Sequence, residues 1–194
     1  MQVFTHGIHE SSRPGLNVFT SIKIILREFF SICLLRRKPQ DLPASRLLLN
    51  VSLASYTVVN IVLALDRIEA VKAVQAGVLE SVLVTLITLV ILGSSHYIKR
   101  WVQTLTALAG TGCIMSLLAL PVIYGSAHAG ADALVRTVLL LSYLGLLIWN
   151  VVVMAHIMRH ALDTSFGFGV IFAMVYIVLT SIIINLVVPE MGVA

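Results

Sequence analysis

The sequence predicts an all-α, polytopic membrane protein with five transmembrane helices preceded by an amphipathic interfacial helix. Three observations predict it. Of 194 residues, 59% are hydrophobic and 11% charged, against about 45–50% and about 25% in soluble domains, so the polar skin of a water-soluble globule is missing. The mean hydropathy of +1.01 is concentrated in five segments long enough to cross a bilayer, which takes about 17–25 mostly apolar residues. Segments of that length exceed the roughly 9–11 residues of a barrel strand, and in hydrocarbon each must close its backbone hydrogen bonds internally, as a helix does. This balance excludes a soluble enzyme, a disordered regulator and a nucleic-acid binder, despite a net charge of +4 and a pI near 9.3.

Residues 1–46 read as a cytoplasmic N-terminal segment. Its first 18 residues carry His6, His9, Glu10 and Arg13 and no apolar core, so no cleavable signal peptide is expected and targeting falls to an internal span. Residues 17–38, NVFTSIKIILREFFSICLLRRK, are apolar enough to suggest a further span. Lys23, Arg27 and Glu28 occupy the middle, however, and each central charge costs about 2.5–3.5 kcal/mol on the insertion scale. Wound as a helix, Ile22, Ile25, Leu26, Phe29 and Cys33 share one face, while Lys23, Arg27 and Ser31 line another. Such a helix lies in the headgroup plane, with Ile22, Lys23, Ile25, Leu26, Arg27, Phe29, Phe30, Arg36, Arg37 and Lys38 as a membrane-surface arm. The basic cluster adds about 1 kcal/mol per residue of attraction to anionic lipid. The alternative is that the apolar face packs on the cytoplasmic rim of the bundle. Pro39 and Pro43 then end the helix.

The bundle occupies residues 47–194, with spans at 47–65, 78–98, 102–120, 134–155 and 168–188. Only Lys99, Arg100 and Trp101 separate the second and third spans, which forces an antiparallel hairpin. The other connections are 66–77, 121–133 and 156–167, too short for a soluble domain. With the N-terminus inside, the cytoplasmic face collects Arg13, Lys23, Arg27, Arg36, Arg37, Lys38, Arg46, Lys99, Arg100 and Arg159. The other face receives Arg67, Lys72 and Arg136. Ten against three sets the N-terminus inside and the C-terminus outside. Asp66, Glu69, Glu80, Asp132 and Glu190 all fall outside. Tyr97, Trp101 and Trp149 mark the inner interface and Tyr124 the outer one.

Residues able to carry chemistry are few. Glu80 is the only acidic residue in any span, placed about one turn inside the outer end of the second, where it reaches water. With no ionisable group at mid-depth, a proton-coupled carrier and an aspartyl-type intramembrane protease are disfavoured. His156 and His160 share a helical face, and His96 arrives at the same level, so these three are the only candidate metal ligands. The stretch HIMRH lacks the glutamate of a metalloprotease motif, and interfacial histidines beside Arg159 are the simpler reading. Cys33 and Cys113 read as reduced, space-filling thiols. No catalytic nucleophile arrangement or phosphate-binding loop is found, and no cofactor is implied.

Small residues point to helix packing. Ala109, Gly112, Cys113 and Ser116 on the third span, and Gly169 and Ala173 on the fifth, let backbones approach closely. Asn50, Tyr56, Asn60, Thr85, Thr88, Tyr143, Asn150, Tyr176, Thr180 and Asn185 either bond across helices or line a polar pore.

The layout resembles the Yip1 superfamily, including its bacterial members. WVQTLTALAGTGCIMSLLALPV (Trp101–Val122), with its Gly-Thr pair and terminal Pro121, is similar to the third span of such proteins, and the likeness extends from about Arg46 to Pro189. The resemblance implies a non-enzymatic protein that associates with other membrane proteins and influences membrane organisation. The first expectation is therefore a protein of a bacterial inner membrane that assembles with anionic lipid and with other membrane proteins or itself. The alternative is a small-solute permease or channel lined by amide and hydroxyl side chains.

Overall fold

Six α-helices follow one another in the computed structural model, which describes residues 18–128 and 132–189. They are α1 (Val18–Cys33), α2 (Arg46–Ala64), α3 (Ala70–Ser94), α4 (Trp101–His128), α5 (Ala133–Ala161) and α6 (Phe166–Val187), with short 3-10 turns at Pro39–Asp41 and Ile98–Arg100. No strand occurs among the described residues. Helices α2 to α6 are all long and apolar enough to cross a membrane. His6, His9, Glu10, Arg13 and Glu190 lie outside the described residues.

The helices start where their sequences supply caps. The side chains of Ser45, Asp132 and Ser165 accept backbone N–H groups at the starts of α2, α5 and α6, satisfying donors that have no partner within the helix. Three helices outrun their hydropathy. Helix α3 begins at Ala70 rather than Val78, because Ala73, Ala76 and Gly77 recur on one buried face while Lys72 and Gln75 dilute the average. Helix α4 passes through Pro121 to His128. Proline removes one N–H there, which membrane helices tolerate when neighbours satisfy the freed group. Helix α5 continues to Ala161 on the buried residues Ile157, Met158 and Ala161, with Arg159 and His160 in its last turn, where cations favour the helix dipole.

The five long helices close into a ring: α2 packs on α4, α4 on α5, α5 on α6, α6 on α3 and α3 on α2. Helices α2 and α3 run antiparallel, with Gly77 receiving Ile61. A Cβ at Gly77 would stand 2.5 Å from Ile61 Cγ1. Gly169 lies directly against the Ala155 carbonyl, so α6 meets the backbone of α5. Gly112 makes room for the Tyr56 ring, and a Cβ there would come within 2.8 Å of it. Ala109 and Ala173 are buried, and Ser116 donates to Asn60 Oδ1 at 3.0 Å. The small residues singled out on α4 and α6 therefore serve contacts inside this chain.

Helix α1 lies against the end of the ring formed by the starts of α2, α4 and α6 and the ends of α3 and α5. Phe29, Ile32 and Cys33 are buried there and Ile25 packs beside them, with the Phe29 ring seated on Gly110. The single apolar face read from the sequence is divided. Ile25, Phe29 and Cys33 turn to the bundle, while Ile22, Leu26 and Phe30 remain exposed beside Lys23 and Arg27. Apolar residues extend around more of the helix than one packing surface can cover.

Candidate functional site

A cavity of about 460 Å³ occupies the middle of the ring, and all five long helices contribute to its wall. Its polar lining comes from Tyr56 on α2, Glu80 on α3, Thr111 and Ser116 on α4, Tyr143 and Asn150 on α5, and Tyr176, Thr180 and Asn185 on α6. Leu108, Met115, Leu146, Met154 and Ile177 supply apolar wall. Among the described residues no Lys, Arg or His lines it.

Glu80 sets the character of this cavity, and the earlier start of α3 explains its depth. It lies ten residues beyond Ala70, about 15 Å along the helix at 1.5 Å per residue. Its partner confirms the level: the Tyr56 hydroxyl donates to Glu80 Oε1 at 2.7 Å, and Tyr56 stands near the midpoint of α2. The sequence placed Glu80 about one turn inside its span, whereas in the structure it faces the cavity from well within α3. A longer helix places the same residue about three turns inside its end rather than one. Thr57 and Ser81 bond each other at 2.6 Å beside this pair, fixing the register of α2 against α3.

Further polar groups are buried beside Glu80. The hydroxyls of Tyr176 and Thr180 are buried next to each other and next to Tyr56. Asn60 Nδ2, behind Ser116, is buried as well. These groups form one buried polar cluster with the Tyr56–Glu80 pair. Sequence reading identified Tyr56, Tyr143, Asn150, Tyr176, Thr180 and Asn185 as polar residues within spans. It missed that they converge on one carboxylate. The buried run Ala73, Ala76, Gly77 was the signal that α3 starts early.

The cavity has unequal ends. Toward the ends of α4 and α6 the wall reaches Ile123, Ile184 and Asn185, and Tyr143 and Asn185 are exposed. Toward α1, Ile32, Leu92, Leu105, Val153, Ile157 and Met158 are fully buried and fill the ring. Polar groups knit that end together. Gln103 Nε2 donates to the carbonyls of Gln40 at 3.0 Å and Leu42 at 2.7 Å, and Gln40 Nε2 donates to the His160 carbonyl. Arg100 reaches the His160 and Ala161 carbonyls and pairs with Asp163 at 2.8 Å.

The remaining candidates belong to this closed end. His156 Nε2 bonds the Arg37 carbonyl at 2.9 Å, and its ring meets His160 edge-on at 4.7 Å. His96 is exposed in the turn after α3, at φ 61°. No three His, Cys, Asp or Glu side chains among the described residues gather to hold a metal ion. In the arm, Lys23, Arg27, Arg36 and Lys38 are exposed, and Arg37 pairs with Glu28 at 3.4 Å. Cys33 and Cys113 are free thiols. Arg67 and Arg136 line an adjoining cavity of about 290 Å³, which shares Ile123 and Tyr143 with the chamber.

No family model, curated protein or solved structure matches the chain.

Proposed function

We propose that this multi-pass membrane protein is a small-solute permease whose binding chamber is the ring-enclosed cavity. The single observation that carries this reading is the convergence of Glu80, Tyr56, Tyr176, Thr180 and Asn150 from four different helices on one cavity. Polar groups at mid-membrane cost energy and persist where they serve a solute path. A chamber open toward one end and filled at the other describes one of the two states that alternating access requires. The filled, α1-bearing end on this reading faces the cytoplasm and the open end the outside of a bacterial inner membrane, an orientation that the excess of basic residues on the α1 side supports. On this reading the exposed Leu26, Phe30, Lys23 and Arg27 of α1 rest in anionic headgroups while Phe29 and Ile32 hold the helix to the bundle.

Reconstitution into liposomes tests the proposal. Uptake of some members of a panel of small cations, neutral polar solutes and anions is expected, with Glu80→Gln slowing it at least tenfold. Flux no greater than in empty liposomes across the whole panel would refute it.

A second reading, assembly with other membrane components as the Yip1 resemblance implies, draws on α5. Only 11% of its most apolar window is buried, leaving Leu140, Leu141, Leu144 and Ile148 outward. Cross-linking from cysteines placed on this face would join copies or partners if the reading holds, and would yield only monomer if lipid alone covers it.

A further inference from the structure

From the geometry of the cavity we infer that its ligand is a small organic cation bearing an ammonium group, held by Glu80 and the rings of Tyr56 and Tyr176. The inference rests on the permease reading for the purpose of the cavity, and deepens it by naming the class of solute.

Charge comes first. A carboxylate lining a chamber among apolar helices favours a counter-cation, and among the described residues the wall offers no Lys, Arg or His to serve as one. Tyr56 engages one oxygen, Oε1, and its single O–H is then used. Among the described residues Oε1 alone is engaged, so the carboxylate keeps hydrogen-bonding capacity toward a chamber whose described wall bears no positive charge. An anionic solute would meet like charge there, and a neutral one would leave the charge uncompensated.

Size and surroundings decide between kinds of cation. A hard metal ion is bound by several oxygen ligands, usually more than one of them charged, and no such cluster forms among the described residues. The chamber, at about 460 Å³, is far larger than a bare ion. Two tyrosines contribute aromatic surface beside the carboxylate, an environment that attracts ammonium groups through the ring quadrupole. Leu108, Met115 and Ile177 supply the apolar surface that carbon substituents require, and Tyr143 and Asn150 in the same wall offer polar contacts to the solute's substituents.

Equilibrium dialysis of the full chain in detergent, with radiolabelled tetramethylammonium as probe, tests this without a membrane gradient. Saturable binding is expected, displaced by ethylammonium but not by tert-butanol, acetate or equimolar potassium. Glu80→Gln should weaken it at least tenfold and Tyr176→Leu severalfold, with both variants monodisperse on gel filtration. If a variant does not fold, the comparison of wild-type ligands still decides. Absence of saturable binding, equal displacement by tert-butanol or potassium, or full affinity in folded Glu80→Gln would each overturn the inference. Wild-type protein that binds the cation yet moves nothing in liposomes would refute the permease reading alone. Protein that moves neutral solutes and ignores cations would refute this inference alone.

Discussion

At position 80 one phenol holds a carboxylate in the middle of an apolar helix pair. Replacing Tyr56 by Phe keeps the ring against Gly112 and removes only the 2.7 Å hydrogen bond. Hydrogen bonds to charged groups contribute about 1.5–3 kcal/mol in soluble proteins and average about 0.6 kcal/mol between membrane helices. A loss of about 1–2 kcal/mol is expected, read as a lower midpoint of thermal unfolding in detergent. In Glu80→Gln the same phenol substitution should cost less. Cys33 reports on a different contact. Burial against the bundle pushes its thiol from the ordinary 9.0 up to about 11, so the docked helix keeps a neutral thiol where a detached helix would ionise. This contribution to docking is complete below pH 9 and is lost as pH rises toward 11. Maleimide should label Cys33 slowly at pH 7, and faster in Phe29→Ala, which removes the ring seated on Gly110. Equal rates in the two proteins would show that α1 does not dock.

Among the elements, close approach is concentrated where one helix meets another's backbone. Gly169→Ala drives a methyl group into the Ala155 carbonyl, an atom that cannot rotate aside. A loss of about 1–3 kcal/mol is expected from such overpacking. Gly145→Ala on α5 meets nothing within 4 Å and should leave stability unchanged or slightly raised. Helix ends provide a second contrast. Leu35, His96 and Asp163 follow α1, α3 and α5 with φ of 60°, 61° and 51°, and each turn closes with an N–H reaching back five residues. Glycine is the usual residue at such a position, so His96→Gly should stabilise by about 1 kcal/mol. Asp163→Gly gains the same backbone relief and loses the pair with Arg100, so its net gain should be smaller. Thermal unfolding of the four variants, compared in one detergent, checks both contrasts. The capping roles of Ser45, Asp132 and Ser165 emerged only with the structure, although capping depends on neighbours within a few residues. The pairing of Gly169 with Ala155 was legible only as a small-residue pattern without its partner.

For the whole molecule, the ring of α2, α4, α5, α6 and α3 determines what the individual spans cannot. Each span alone presents a few hydroxyls or amides to no particular neighbour. Closed into a ring, they share a chamber whose α1-bearing end is filled. A tag placed after Ala194 should be accessible only from outside the cell, and a tag at the N-terminus only from the cytoplasm. Accessibility of both from one side would contradict five crossings. On the permease reading, opening the filled end requires separating the Gln103 and Arg100 contacts from the Pro39–Asp41 turn and the end of α5. Gln103→Leu should therefore raise the rate of solute entry from the cytoplasmic side in liposomes of known orientation, without altering cation affinity in detergent.

By itself the sequence determined the all-helical class, the number of long apolar helices and the segregation of basic residues, because these follow from composition and from periodicity over one or two turns. It also marked the polar residues within spans. Tertiary structure alone decided that Glu80 lies well inside α3 and faces the cavity, that Arg67 and Arg136 line an adjoining one, and that α1 docks through only part of its apolar surface. The reason is physical. Hydropathy averages over a window and cannot see that Ala73, Ala76 and Gly77 continue a helix against α2, and the surroundings of a carboxylate are set by residues far away in sequence.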